Sequence, residues 1–193
     1  MKESLREHKR WRRKEIAEIR KELSDEYIAD ASAEVKEKLL VTEEYRNANT
    51  IMCYLDFGKE VKTGDMIDAM WRDGKKVCIP LCTDTEGHIM EAKLYTEDTA
   101  LVKGAYGIME PSNEEPTIDA SEIDLIILPC VSCDRSCNRL GHGAGYYDRY
   151  LVKTDAKLMA LCAEKLMSDE IPMDEFDVPL DAVITEIDIY RRG

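Results

Sequence analysis

The chain lacks any apolar run approaching the ~18 to 20 residues that a membrane span needs, and its first residues are charged, with no apolar stretch of the kind a secretory signal carries. These absences speak against a membrane-spanning helix and, as an expectation, against secretion. Internal repeats, low-complexity tracts and long Pro/Gly/Ser linkers are missing too. The 193 residues therefore read as one domain, 1–193, large enough to bury a core. Positive charge is in deficit: 27 Lys and Arg stand against 40 Asp and Glu, a net −13. A nucleic-acid binder needs a positive surface against phosphates, so nucleic acid is not expected as a partner. Nor does the sequence point to a membrane or an obligate protein partner.

Cysteine, by contrast, is plentiful: seven, scattered at positions 53, 78, 82, 130, 133, 137 and 162. Without a secretion signal, free thiols in a reducing compartment are expected, and the composition suits a protein of the cytoplasm. The charge is also uneven. Residues 1–21 hold nine Lys/Arg against four Glu, so the rest of the chain carries −18. That basic segment reads either as a site for an anionic ligand or as a solvated helix face.

Along the chain, residues 3–22 read as a charged helix, and Ser24 as the N-cap of a second helix with Ile28, Ala31, Val35 and Leu39 on one apolar face. Strand and helix then alternate. "TIMCYL" (50–55) reads as a strand, Thr63 as the cap of a helix through "GDMIDAMWRD", and "KKVCIPL" and "HIMEAKLY" as strands. "DLIILP" (124–129) has the continuous apolar character of a buried parallel strand. A helix is expected over 144–152, with late strands at "KLMALC" and "DAVIT" and the loop "SDEIPMDEFDVPLD" between them. This alternation predicts an α/β fold in three layers, a mainly parallel sheet flanked by helices. Ligands bind such sheets outside the carboxyl ends of the strands.

At that place stands "LPCVSCDRSCNRLGHGAGYYDRYL" (128–151), which supports two chemistries. Cys130, Cys133 and Cys137, with His142 nearby, have ligand types suited to zinc, but a closed site needs four ligands and no second CxxC exists in the chain. Buried thiols also serve as small hydrophobes. The glycines make the stronger case. Gly141, Gly143 and Gly145 alternate ahead of a helix start, where bare backbone N–H groups can approach an anion. Arg139 can add a charge-assisted contact. The pattern is neither the dinucleotide fingerprint nor a P-loop, since no Gly-Lys-Ser/Thr follows. Tyr147, Tyr150 and Leu151 share a face that reads as core. Asp148 in the first helical turn reads as a helix-stabilising acid or as a ligand for a divalent cation.

The stretch "NRLGHGAGYYDRYL" closely resembles the signature of the 5-formyltetrahydrofolate cyclo-ligase family, and "RKELS", "FGKEVKT", "GKKVCIP", "YGIMEP", "IDLIILP" and "FDVPLDAVITE" follow the family's order. The resemblance implies a fold related to the sugar-phosphate isomerase and CoA-transferase group. It also implies ATP as co-substrate, Mg²⁺, and 5-formyltetrahydrofolate, polyglutamylated or not, as the small-molecule substrate. The family sets a Lys and an Arg four apart on its first helix against the nucleotide phosphates. Lys2/Arg6 and Lys9/Arg13 both fit, and the spacing from Arg13 to Ser24 favours Lys9 and Arg13. By the same resemblance Arg139, Leu140, Gly141, His142, Gly143, Ala144, Gly145, Tyr146 and Tyr147 form the nucleotide loop. The folate loop shares His142 to Tyr146, joined by Glu60 and the pocket-lining Leu55. Asp148 and Asp177 match acids associated with Mg²⁺, Asp181 being a nearby competitor. Arg139 and Asp148 would be the catalytic pair.

Departures from the family pattern are concentrated near this region. Cys130, Cys133 and Cys137 stand where Gly, Phe and Gly are common. Ala163 and Leu166 replace a frequent Phe and Gln, and Phe176 a frequent His. If position 137 needs a positive φ, the cysteine there costs local stability.

Overall fold

The structure, a computed structural model, describes residues 2–104 and 107–193, with side chains from residue 4 onward. The Lys2 side chain and Tyr106 of "YGIMEP" lie outside the described residues. Five α-helices are present among the described residues: α1 (Lys2–Glu22), α2 (Asp25–Leu40), α3 (Glu43–Asn47), α4 (Gly64–Arg72) and α5 (Tyr146–Leu151). The strands are β1 (Thr50–Cys53), β2 (Lys76–Asp84), β3 (Ile89–Leu94), β4 (Leu101–Lys103), β5 (Met109–Pro111), β6 (Thr117–Ile118), β7 (Leu125–Leu128), β8 (Ser132–Cys133), β9 (Arg139–Leu140), β10 (Lys157–Leu161), β11 (Ala182–Ile184) and β12 (Ile189–Arg191).

Eight strands form one sheet in the order β12-β11-β10-β7-β1-β2-β3-β6. The run from β11 to β2 is parallel, and the antiparallel pairs lie toward the two edges. Every residue of β1, β7 and β11 is buried, because helices or loops cover both faces of the sheet. Alternate residues feed two cores. Met52, Ile126, Leu128 and Val183 face one, which packs Ile16 of α1 and Tyr150 and Leu151 of α5. Ile51, Leu125, Ile127 and Ile184 face the other, with Val35 and Leu39 of α2, Tyr45 of α3, and Met66 and Met70 of α4. This is the expected three-layer α/β arrangement.

The local signals met with mixed success. Ser24 does cap α2, its hydroxyl accepting from the Tyr27 amide at 3.0 Å. Thr63 does not cap α4: its buried hydroxyl donates to the Tyr54 carbonyl at 2.8 Å, tying the loop back to β1. The first strand stops at Cys53 rather than Leu55, and the helix expected over 144–152 is only the six residues of α5. Gly145 precedes that helix in the left-handed region (φ +76°), so the chain turns sharply before helical geometry can start. The short α3, capped by Thr42, was not expected from the sequence.

From β1 the chain builds first toward β2 and β3, then returns to the other side of β1 with β7, β10 and β11. The strand order thus reverses beside β1, and a crevice opens at the carboxyl ends of such a switch point. Three connections leave that edge: 54–63 after β1, 129–145 after β7 and 162–181 after β10.

Candidate functional site

Helix α1 lies against the segment after β7 and turns selected basic residues inward. Arg6, Arg10, Lys14 and Lys21 are exposed, whereas Lys9 is 8% exposed. The Lys9 ammonium donates to Asp174 Oδ2 at 2.9 Å and also to Asp177 Oδ2. Asp177 Oδ2 in turn accepts from the Asp174 amide at 2.6 Å, so the two acids and the lysine close a knot. The Lys9 ammonium holds the Asp174 carboxyl below its usual range. One turn on, Arg13 Nε donates to the Gly141 carbonyl at 2.7 Å. Burial lowers the Arg13 pKa, and the nearby carboxylates of Asp177 and Asp148 work against that shift.

The glycines have distinct uses. Gly143 sits at φ +103°, and a Cβ there would come within 3.2 Å of the Arg13 guanidinium carbon. Gly141 has no positive φ; its bare Cα leaves room for Arg139 Nη1, which a Cβ would meet at 3.1 Å. Arg139 is buried at the start of β9. Its Nη2 donates to Asp148 Oδ1 at 3.0 Å, its Nη1 to the Pro129 carbonyl at 3.2 Å, and its guanidinium carbon lies 5.3 Å from the Tyr147 ring centre. Tyr147 is buried enough that its phenol is pushed well up and stays neutral. From the β1 side, Glu60 arrives buried, with Oε2 accepting from the Phe57 amide and Oε1 3.0 Å from His142 Nε2.

Three cations, Lys9, Arg13 and Arg139, are therefore interleaved with three acids, Asp148, Asp174 and Asp177, around one glycine loop. Asp148 Oδ2 and Asp177 Oδ1 make no hydrogen bond among the described residues. Such hard oxygen donors fit a Mg²⁺-type cation.

A profile described as the 5-formyltetrahydrofolate cyclo-ligase family matches residues 5–186. The chain belongs to that family. A mouse 5-formyltetrahydrofolate cyclo-ligase is 31% identical over 189 residues, covering 92% of this chain and 93% of its own. The protein of that name from Haemophilus influenzae is 31% identical, covering 87% and 92%. In three dimensions the chain is similar to the 5,10-methenyltetrahydrofolate synthetase of Aquifex aeolicus, with a TM-score of 0.83, 27% identity, and 95% and 92% of the two chains covered.

Among the residues singled out by the family resemblance, the structure brings Lys9, Arg13, Arg139, Asp148, Asp177 and the 141–147 loop into one region. Leu140 is buried beneath it in the first core, and Tyr146 packs edge-on to His88 with ring centres 5.2 Å apart. Ala144 offers its carbonyl to Arg149 at 3.1 Å. Leu55 is half-buried against the second core, the opposite face from the one Tyr146 and Tyr147 join. Asp181 turns elsewhere, bonding the Leu158 amide and Lys157. Two participants had not been singled out. Asp174 stands three residues before Asp177, a spacing that local inspection could have raised. His88 comes from the distant β2–β3 turn, with no local signal.

The cysteine triplet needs correction. Cys137 does not join Cys130 and Cys133: its thiol donates to the Tyr190 carbonyl at 3.4 Å. The third sulfur beside them belongs to Cys162. Position 137 does require a positive φ, +63°.

Proposed function

We propose that the chain closes 5-formyltetrahydrofolate to 5,10-methenyltetrahydrofolate at the expense of ATP, acting as one domain whose site draws on residues from Lys9 to Asp177. The observation that carries this reading is the charge balance around the glycine loop. With three cations against three acids, a bare phosphate chain gains little on entering, whereas a phosphate chain arriving with a divalent cation lets both sets exchange partners. Lys9, Arg13 and Arg139 would then face phosphate oxygens, and Asp148 and Asp177 would hold Mg²⁺, which when bound neutralises charge on the phosphates. α5 is too short to supply much dipole, so the anion binding rests on these side chains and on the loop amides.

The reaction needs no protein nucleophile. The formyl oxygen attacks the γ-phosphate, ADP leaves, the neighbouring folate nitrogen attacks the activated carbon, and phosphate departs. The chain positions the reactants and stabilises developing charge. Arg139 is aimed by three fixed contacts: Asp148, the Pro129 carbonyl and the Tyr147 ring. Glu60, held by the Phe57 amide and beside His142, offers a buried carboxylate to the folate ring system. The exposed basic face of α1, with Arg6, Arg10 and Lys14, suits a polyglutamate tail. Seven free cysteines suit the cytoplasm, and no helix among the described residues is long and apolar enough to cross a membrane.

The test is formation of the methenyl product, read by its near-ultraviolet absorbance with 5-formyltetrahydrofolate and Mg-ATP supplied. Asp148→Ala is expected to cut the rate by about 100-fold or more, the scale of losing one charge-organising group. Product formed without ATP would sink the reading. A second reading has one observation behind it: the cavity beside Glu60 is walled by Cys130, Ala163 and Leu166, all departures from the common family residues. Folded protein that binds folate but forms no product would make the chain a binding member of the family.

A further inference from the structure

A second cluster of reactive side chains lies outside the phosphate-facing region. Cys130 lies two residues past the end of β7, Cys133 lies in β8, and Cys162 directly follows β10. Their three sulfurs lie within 4.8 Å of one another, and all three residues are buried. Among the described residues this is the one group of three or more His, Cys, Asp or Glu side chains gathered so closely. We propose that Cys130, Cys133 and Cys162 form a three-thiolate site for one thiophilic d¹⁰ metal ion, of the class that includes Zn²⁺, Cd²⁺ and Cu⁺.

Geometry comes first. Three sulfurs bound to one ion at about 2.3 Å stand about 4 Å apart, so the observed grouping needs a shift of under about 1 Å to close on a metal. The ligands are carried on rigid supports. β7 and β10 are paired in parallel with Leu128 opposite Ala160, and Cys130 and Cys162 each lie two residues beyond that pair. The charge is also provided for. On binding, three S–metal bonds form, each thiol gives its proton to solvent, and no electron changes hands. The resulting complex carries −1 with a divalent ion. Arg20 stands against it: its Nη2 donates to the carbonyls of Cys130 and Val131 at 3.1 Å each, and its buried Nε has no hydrogen-bond partner. Arg139 Nη1 donates to the adjacent Pro129 carbonyl at 3.2 Å.

Among the described residues no fourth His, Cys, Asp or Glu joins the three sulfurs, which favours soft ions that tolerate sulfur-only, low-coordinate sites. A cavity of about 10 Å³, bordered by Cys130, Cys162 and Arg20, has room for about one water as a fourth ligand. Cys130 and Cys133 stand where Gly and Phe are common in the family, so the metal site would be particular to this chain. The test accordingly reads binding and not turnover.

The full chain is titrated with Cd²⁺ against a competing chelator, and the ultraviolet sulfur-to-metal charge-transfer band is followed. One Cd²⁺ per chain is expected. Cys162→Ser should weaken binding by at least about 100-fold, the upper end of what losing a mere supporting partner costs, while Cys137→Gly should leave it unchanged. Cadmium X-ray absorption on the unaltered chain should count three sulfurs, a measurement that stands even if Cys162→Ser fails to fold. No band at stoichiometric Cd²⁺, two or fewer sulfurs, or loss of binding in Cys137→Gly but not in Cys162→Ser would each overturn the proposal.

Discussion

At Cys137 the backbone sits at φ +63°, in the left-handed region that a side chain with a Cβ enters at a cost of about 1–2 kcal/mol. Its thiol is nonetheless buried and bonded to the Tyr190 carbonyl, so removing the side chain forfeits packing while relieving strain. Cys137→Ala loses the thiol and keeps the strain, whereas Cys137→Gly loses both. The glycine variant is therefore expected to be more stable than the alanine variant by about 1 kcal/mol, the reverse of the usual order. Urea denaturation of the pair decides it, and an alanine variant equal or superior would show that the turn carries no strain. Asp174 offers a second residue-level test. Its carboxyl is held low by Lys9, so the stability it contributes is complete above the unfolded value of about 3.9 and is lost as pH falls through the lower folded value. Asp174→Asn should flatten the fall of the thermal midpoint over that acid range. Identical acid limbs would show that the pair contributes nothing.

Helix α1 carries more charge than apolar surface, and buried hydrophobic contact from Ile16 alone would hold it weakly. Three inward basic residues, one on each of three successive stretches of the helix, fasten it instead: Lys9 to the two acids, Arg13 to Gly141, Arg20 to the carbonyls after β7. Their side-chain stems cover apolar surface while the heads reach polar groups. Arg20→Met should keep the stem and strand the Cys130 and Val131 carbonyls, costing about 2 kcal/mol. Chemical denaturation measures the loss, and amide exchange should show α1 opening ahead of the sheet. A helix that stays as protected as before would mean that packing, not these bonds, anchors it.

Across the whole molecule, a net charge of −13 makes an anionic substrate an awkward guest. The fold answers by drawing basic residues from the N-terminal helix to the carboxyl edge of the sheet and then neutralising them with acids from the 162–181 connection. Metal-bound ATP is expected to raise the thermal midpoint by several degrees, since a ligand at a hundredfold over its Kd contributes about 2.7 kcal/mol. ATP with a chelator should raise it much less. In Asp148→Asn/Asp177→Asn the order should narrow or reverse, because the cations would then be free for phosphate and the metal would lose its ligands. Equal shifts with and without divalent cation in the unaltered chain would refute the exchange of partners.

Much of this architecture was legible in the linear chain. β7 announced itself as an unbroken apolar run because a strand covered on both faces has no solvent side to mark. The apolar face of α2 and its Ser24 cap are likewise properties of neighbours within a turn or two. The glycine–YYD stretch was readable for the same reason, whereas the choice of Lys9 and Arg13 over Lys2 and Arg6 rested on the family resemblance. What the chain could not display is which strand ends become neighbours. Cys162 lies 32 residues from Cys130, yet the parallel pairing of β7 with β10 sets their sulfurs together, while Cys137, much nearer in sequence, is carried off by a left-handed turn. Thr63 looked like a cap until the return of its loop to Tyr54 offered a better acceptor. Local patterning determined the elements, and resemblance to a family, not local pattern, named candidates such as Glu60 and Asp177. Sheet order and the direction of each loop decided its partners, because contact in space depends on which strands pair and not on how far apart residues lie along the backbone.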